Sequence, residues 1–135
     1  MAKGIKVDFV FIGREFALFK KGKVVNLAND VKKSYIGPDL SLELVFDYSG
    51  RVVRELNKRY RNKDYDTDVL SFAGEDNENS QIFISIRYLV SNGLVLSDLL
   101  EIIKHGILHV LGFDHESNEE LVEMEEAKSN FFVGL

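Results

Sequence analysis

The chain has 135 residues, 45% hydrophobic and 29% charged, with a formal net charge of −5. That length suits one domain, residues 1–135, with a core of useful size, and the composition is ordinary for a globular protein. The absence of cysteine excludes disulfides and thiolate metal sites, and the net acidity argues against nucleic-acid binding over the whole surface.

No apolar run approaches the roughly 20 residues of a membrane span. The opening Met1-Ala2-Lys3-Gly4-Ile5-Lys6 leads into a charged, alternating segment rather than the apolar region of a signal peptide. A cytoplasmic protein without membrane contact is expected.

Alternation from Ile5 to Ile12, rich in Val and Phe, predicts a first strand. Arg14 to Tyr35 is helical in tendency but interrupted at Lys21-Gly22-Lys23. Gly37-Pro38 is a break. Leu40, Leu42, Leu44 and Phe46 mark one face of a second strand, and Asp47-Tyr48-Ser49-Gly50 is a turn with capping groups for the next helix.

That helix, Arg51 to Arg61, divides cleanly at about 100° per residue. Arg51, Arg54, Lys58 and Arg61 share a narrow arc, while Val52, Val53, Leu56 and Tyr60 face the core side. Six bases against one acid between Arg51 and Lys63 make a local basic face on an acidic chain, a candidate phosphate-binding surface.

Val69 to Phe72 reads as a third strand and Gly74 to Ser80 as an acidic loop. Gln81 to Ile86 reads as a fourth strand with Ile82, Ile84 and Ile86 on one face. Arg87 to Val90 is a short helical piece. Ser97 is the expected N-cap of the next helix, whose apolar residues from Leu99 to Leu111 wrap most of its circumference and predict a central, buried element. A last helix spans Asn118 to about Phe132, with Leu121, Met124 and Phe131 facing inward.

All three histidines fall within eleven residues, His105 to His115. His105 and His109, four apart, project from one helix face. Gly112 supplies the left-handed residue that ends a helix, so that His115 can return toward them. Three imidazoles with a fourth position open are the donor set of a catalytic zinc site, and zinc is the favoured ion. The pattern H-x-x-x-H-x-x-G-x-x-H has the spacing of the metzincin peptidases. Those enzymes place their glutamate base directly after the first histidine, where this chain has Gly106. The spacing therefore argues for the metal and against peptide hydrolysis. Asp114 and Glu116 are the available replacements for a base. Asp114 could equally orient a histidine from outside the metal's own ligands.

With Gly106, Asp114 and His115 in place, the string resembles the H-G-x-L-H-x-x-G-[YF]-D-H signature of the YbeY family of bacterial rRNA maturation factors. Upstream, Leu56-Asn57, Tyr60-Arg61, Lys63-Asp64 and Thr67-Asp68-Val69-Leu70-Ser71-Phe72 resemble the family's second block in the same order. The likeness covers about Leu40 to Glu126. It implies a zinc-dependent endoribonuclease specific for single strands, acting in ribosomal RNA maturation and ribosome quality control. The zinc ligands would be His105, His109 and His115, and the family's functional arginine would be Arg61. It also implies an α+β fold, a small mixed sheet of about four strands with the zincin-like metal helix packed against it. Two departures stand out: Asn79-Ser80-Gln81 where the family usually has Leu-Gly-Asp, and Ala73 where a proline is common.

The residues themselves support Arg61. It ends the basic face beside the turn into the third strand, and its planar fork suits phosphate oxygens. Fixed positive charge stabilises the charge that builds on a phosphoryl group during cleavage. The expected partners are single-stranded RNA, ribosomal RNA above all, and the ribosome or its proteins, with no DNA. Phosphate contacts are expected from Arg51, Arg54, Lys58 and Arg61. Alternatives are a metallopeptidase-like hydrolase with Asp114 or Glu116 as base, and a non-catalytic, zinc-stabilised ribosome-associated factor.

Overall fold

The computed structural model describes residues 4–114 and 117–134. Four strands, β1 (Ile5–Ile12), β2 (Leu40–Asp47), β3 (Val69–Phe72) and β4 (Ser80–Ser85), form one mixed sheet in the order β1-β2-β4-β3. β1, β2 and β4 run parallel and β3 is antiparallel to β4. Parallel neighbours need a crossover, supplied between β1 and β2 by α1 (Lys21–Ser34). The remaining helices are α2 (Arg51–Arg61), α3 (Ile86–Ser91), α4 (Leu96–Val110) and α5 (Asn118–Phe131). The expected α+β fold with a four-strand mixed sheet is present.

Strand alternation separates the two sheet faces. Leu42, Leu44 and Phe46 of β2 and Ile82 and Ile84 of β4 join Val24, Ala28 and Val31 of α1 and Leu99, Ile103, Ile107 and Leu108 of α4 in the main core. Each fully buried aliphatic side chain contributes about 1.5–3 kcal/mol. Val45, Leu70 and Phe83 are register partners on the opposite face. That face meets α2, whose Val53 is fully buried. The sheet thus lies between α2 on one side and α1 with α4 on the other.

Several elements differ from the sequence expectation. α1 runs unbroken through Gly22, and the interruption falls earlier, at Lys20 after a 3-10 turn Ala17–Phe19. The Glu15 carboxylate accepts the Lys21 N–H at 2.7 Å and so starts the helix from outside. Ser97 lies inside α4; Val95 is the N-cap, and the Asp98 carboxylate reaches back to the Val95 N–H at 2.8 Å. Ile86 opens α3 rather than ending β4, because the Ser85 hydroxyl caps α3 through the Tyr88 N–H. Tyr60 is 62% exposed, its ring edge-on to Phe72, and Asn57 takes the buried position on α2 instead. Leu121 is also exposed; Met124, Ala127 and Phe132 provide the buried contacts at the C-terminal end.

Candidate active site

At Gly106, α4 comes close against the sheet. A Cβ there would stand 2.9 Å from the Ile82 methyl Cγ2 and 3.4 Å from the Ser71 hydroxyl. This close approach fixes the rotation of α4 and brings His105 and His109 alongside β3. Their Nε2 atoms are 2.9 Å apart, with ring centroids at 4.5 Å and planes at 75°. Both rings are half-buried.

α4 ends at Val110, one residue after His109. Gly112 has φ +101°; its N–H donates to the His109 carbonyl and that of Phe113 to the Leu108 carbonyl, both at 3.0 Å. This is a Schellman termination, and it satisfies carbonyls the helix end would otherwise leave open. Asp114 follows directly and enters the same cleft. His115 and Glu116, the expected third ligand and alternative base, lie outside the described residues.

The other wall comes from α2 and the segment after it. The sequence expectation that the Asp47–Gly50 turn caps α2 is met at a distance: Asp47, fully buried, accepts the Val53 N–H at 3.0 Å, and Ser49 Oγ accepts that of Arg51 at 3.1 Å. At the far end Asn62 adopts the left-handed conformation (φ 57°), and the Asn57 and Lys58 carbonyls accept the Lys63 and Asn62 N–H groups. The Asn57 side chain, fully buried, donates to the Tyr65 carbonyl at 2.9 Å. The Asp68 carboxylate accepts the Val69 N–H at 2.8 Å, while its carbonyl accepts the Ser85 N–H at 2.9 Å. Arg61 and residues 67–71 are thereby held opposite the two imidazoles.

Together they enclose a cleft of ≈ 540 Å³ lined by His105, His109, Arg61, Asp114 and residues 67–71. That volume is in the usual range for a ligand site. Arg61 brings a positive charge to it and Asp68 and Asp114 bring negative ones. Of the residues expected from sequence, His105, His109, Arg61 and Asp114 are therefore brought together. Asp64 pairs with Arg54 at 3.0 Å rather than with Arg61. Hydrogen bonding and charge from Arg54 hold the exposed Asp64 carboxyl below its ordinary range.

Arg51 and Arg54 line a second cleft, also ≈ 540 Å³, with Asp64, Tyr65, Asp66 and Arg87. Lys58 is exposed and lines neither. Sequence reasoning did not single out Asp68 or the anchoring role of Asn57. The polar Asn57 among the apolar positions of α2 was the available signal.

Residues 20–135 match the family model for "Endoribonuclease YbeY". The chain belongs to the YbeY endoribonuclease family. YbeY relatives include one from a Sulfurihydrogenibium species, 42% identical over 79 residues (50% of this chain, 52% of the relative). One from Herminiimonas arsenicoxydans is 31% identical over 121 residues (78% and 76%). One from a Janthinobacterium species is 35% identical over 116 residues (78% and 74%). The match thus spans about half of the first relative and about three quarters of the other two. Among solved structures, a Thermotoga maritima protein studied in solution has a TM-score of 0.55 at 26% identity, covering 90% of this chain and 87% of that one. It shares the fold.

Two convergent imidazole nitrogens fit a borderline-soft divalent ion. Nitrogens bound at about 2.0–2.1 Å to a tetrahedral zinc would stand about 3.4 Å apart, so the rings need open only slightly from their present 2.9 Å. Among the described residues, no group of three potential ligands gathers; the third histidine of the motif is His115. No helix among the described residues is long and apolar enough to cross a membrane.

Proposed function

We propose that the chain is a zinc-dependent endoribonuclease that cuts single-stranded RNA, with His105, His109 and His115 holding the ion. The observation that carries this reading is the placement of Arg61 and the histidine pair in one cleft. A basic fork opposite a metal-ligating pair suits a phosphodiester, whose cleavage builds negative charge on the phosphoryl oxygens.

Arg61 grips those oxygens and holds the scissile group in the cleft. Asp114 either takes a proton from the nucleophile, a water or the neighbouring 2′-hydroxyl, or orients a histidine. Asp68 is held by the Val69 N–H and forms part of the wall against which the strand is positioned. Bound zinc supplies Lewis-acid stabilisation and activation of the nucleophile. The 2′-hydroxyl separates RNA from DNA as substrate. The proposed setting is the cytoplasm, with ribosomal RNA as the substrate in ribosome maturation and quality control and ribosomal proteins as neighbours.

A metzincin-type glutamate at position 106 would have to occupy the contact between α4 and Ile82, where even a Cβ approaches to 2.9 Å, so the peptidase alternative would rest on Asp114 or Glu116 as base. The test is zinc content and RNA cleavage measured side by side on wild type, His109→Ala and Arg61→Ala. Both variants should lose cleavage and only His109→Ala should lose zinc. Zinc-replete wild type that leaves single-stranded RNA intact would overturn the reading. A chelator that unfolds the domain, with no turnover, would favour the structural-zinc factor.

A further inference from the structure

The second cleft lies at the opposite end of α2 from Arg61. Ten residues separate Arg51 from Arg61, a rise of about 15 Å. The two clefts share a wall, since Asp64, Tyr65 and Asp66 line one and the run from Thr67 onward lines the other. A single polymer strand passing along this wall would meet both.

The charges of the second cleft are unevenly satisfied. Arg54 is committed to Asp64 at 3.0 Å. Asp66 is committed to the wall: one oxygen accepts the Ser85 hydroxyl at 2.8 Å and the other the Thr67 N–H at 3.0 Å. Arg51 and Arg87 make no salt bridge among the described residues. Both are exposed, and they come from different helices. Tyr65 stands at the rim, 53% exposed, with its backbone carbonyl fixed by Asn57. Gly50, at φ +73°, keeps the floor low; a Cβ there would come within 2.7 Å of Asp66 Oδ2 and 3.2 Å of the Arg87 Cβ.

Two guanidiniums that close no salt bridge, with Arg87 near enough to Asp66 to act on its charge, suit a phosphate, and an exposed aromatic ring beside them suits a base. We propose that this cleft is a second nucleotide subsite on the same RNA strand, with Arg51 and Arg87 on a phosphate and Tyr65 stacking the adjoining base. The proposal rests on the ribonuclease reading for the identity of the polymer. It adds Arg87 and Tyr65 to the RNA surface and sets a minimum substrate length. At about 3.4 Å per stacked nucleotide, 15 Å corresponds to about four nucleotides between the two sites.

The experiment uses labelled 2′-O-methyl oligonucleotides of three to ten residues, verified intact after incubation, with binding followed by fluorescence anisotropy across a salt series. For wild type, affinity should rise until the oligonucleotide is long enough to reach both clefts. Arg51→Ala with Arg87→Ala should remove that gain and reduce the slope of log K against log salt by about 0.7 for the lost phosphate contact. Tyr65→Ala should weaken binding of the longer oligonucleotides about five- to hundred-fold, and Tyr65→Phe should restore it. Lys23→Ala is the control, since Lys23 is exposed on α1, across the sheet from α2, and lines neither cleft. Thermal melts of every variant show that the fold is retained. An unchanged salt slope and unchanged length dependence in the double arginine variant overturn the proposal. If wild type binds with the expected length dependence but cuts no RNA, the ribonuclease reading fails while the subsite stands.

Discussion

The Ser71 hydroxyl donates to the Gly106 carbonyl across 3.2 Å, joining β3 to α4 at the residue between His105 and Ile107. Side chain and backbone thus meet where the helix carrying the histidines leaves no room for a Cβ against Ile82. Ser71→Ala should cost about 0.5–1.5 kcal/mol, seen as a fall in Tm of about 4 °C per kcal/mol for a domain of this size. An unchanged melt would mean that this bond does not hold the two elements together.

Gly106→Ala tests the same contact by filling it. Alanine favours the helix by up to about 1 kcal/mol over glycine, but overpacking against a buried isoleucine costs about 1–3 kcal/mol. Ile82 is fully buried and its methyl lies 2.9 Å from the new Cβ. The net outcome should be destabilisation with reduced zinc affinity by calorimetry, since the histidine rings move with the helix. A variant more stable than wild type would show that the contact relaxes freely.

Arg61→Lys should not restore what Arg61→Ala removes. A lysine keeps the charge and loses the two-pronged fork, and losing one fixed donor to a charged transition state costs about 10²–10³ in rate. Single-turnover cleavage of one defined RNA measures this directly. A lysine variant cutting at near wild-type rate would assign Arg61 a purely electrostatic part.

Alkaline pH should destabilise the fold through Tyr48 and Tyr35. The Tyr48 hydroxyl donates to the Phe19 carbonyl at 2.6 Å, and burial, followed by the Glu15 charge, pushes its pKa up to about 12. Burial, followed by the charge of Asp39, raises Tyr35 to about 12 as well. A folded pKa above the unfolded value means that the protonated form is favoured on folding. The contribution is therefore whole below pH 10 and lost as pH rises from about 10 to about 12. Urea unfolding across that range, with tyrosinate absorbance as the monitor, should show the loss, and Tyr48→Phe should lessen it.

Legibility followed how local each cause was. The bounds of α2 were readable to the residue, because its basic arc and most of its apolar positions obey one helical period. Gly112 was readable as a helix stop for the same reason. The start of α1 was not, because Glu15, six residues upstream, supplies the cap. Tyr60 was expected in the core but is exposed, and Asn57 is buried instead, where its side chain donates to the Tyr65 carbonyl. In the site, the histidine pair was legible from its spacing, and Arg61 from the family resemblance and its place at the end of the basic face. Asp68 was obscured, since its cleft position depends on how β3 pairs with β4.

β3 is four residues long and lies at one edge of the sheet. Successive side chains of a strand point to opposite faces, so a cleft lined by Val69, Leu70 and Ser71 in a row must run along the strand's main chain. An edge carries amide and carbonyl groups that no neighbouring strand has claimed. Whatever occupies the cleft is met there by groups that every amino-acid sequence possesses and that carry no preference for one base over another. Substitutions at side chains leave that part of the grip in place, and toward the RNA strand proposed above it would be indifferent to nucleotide order.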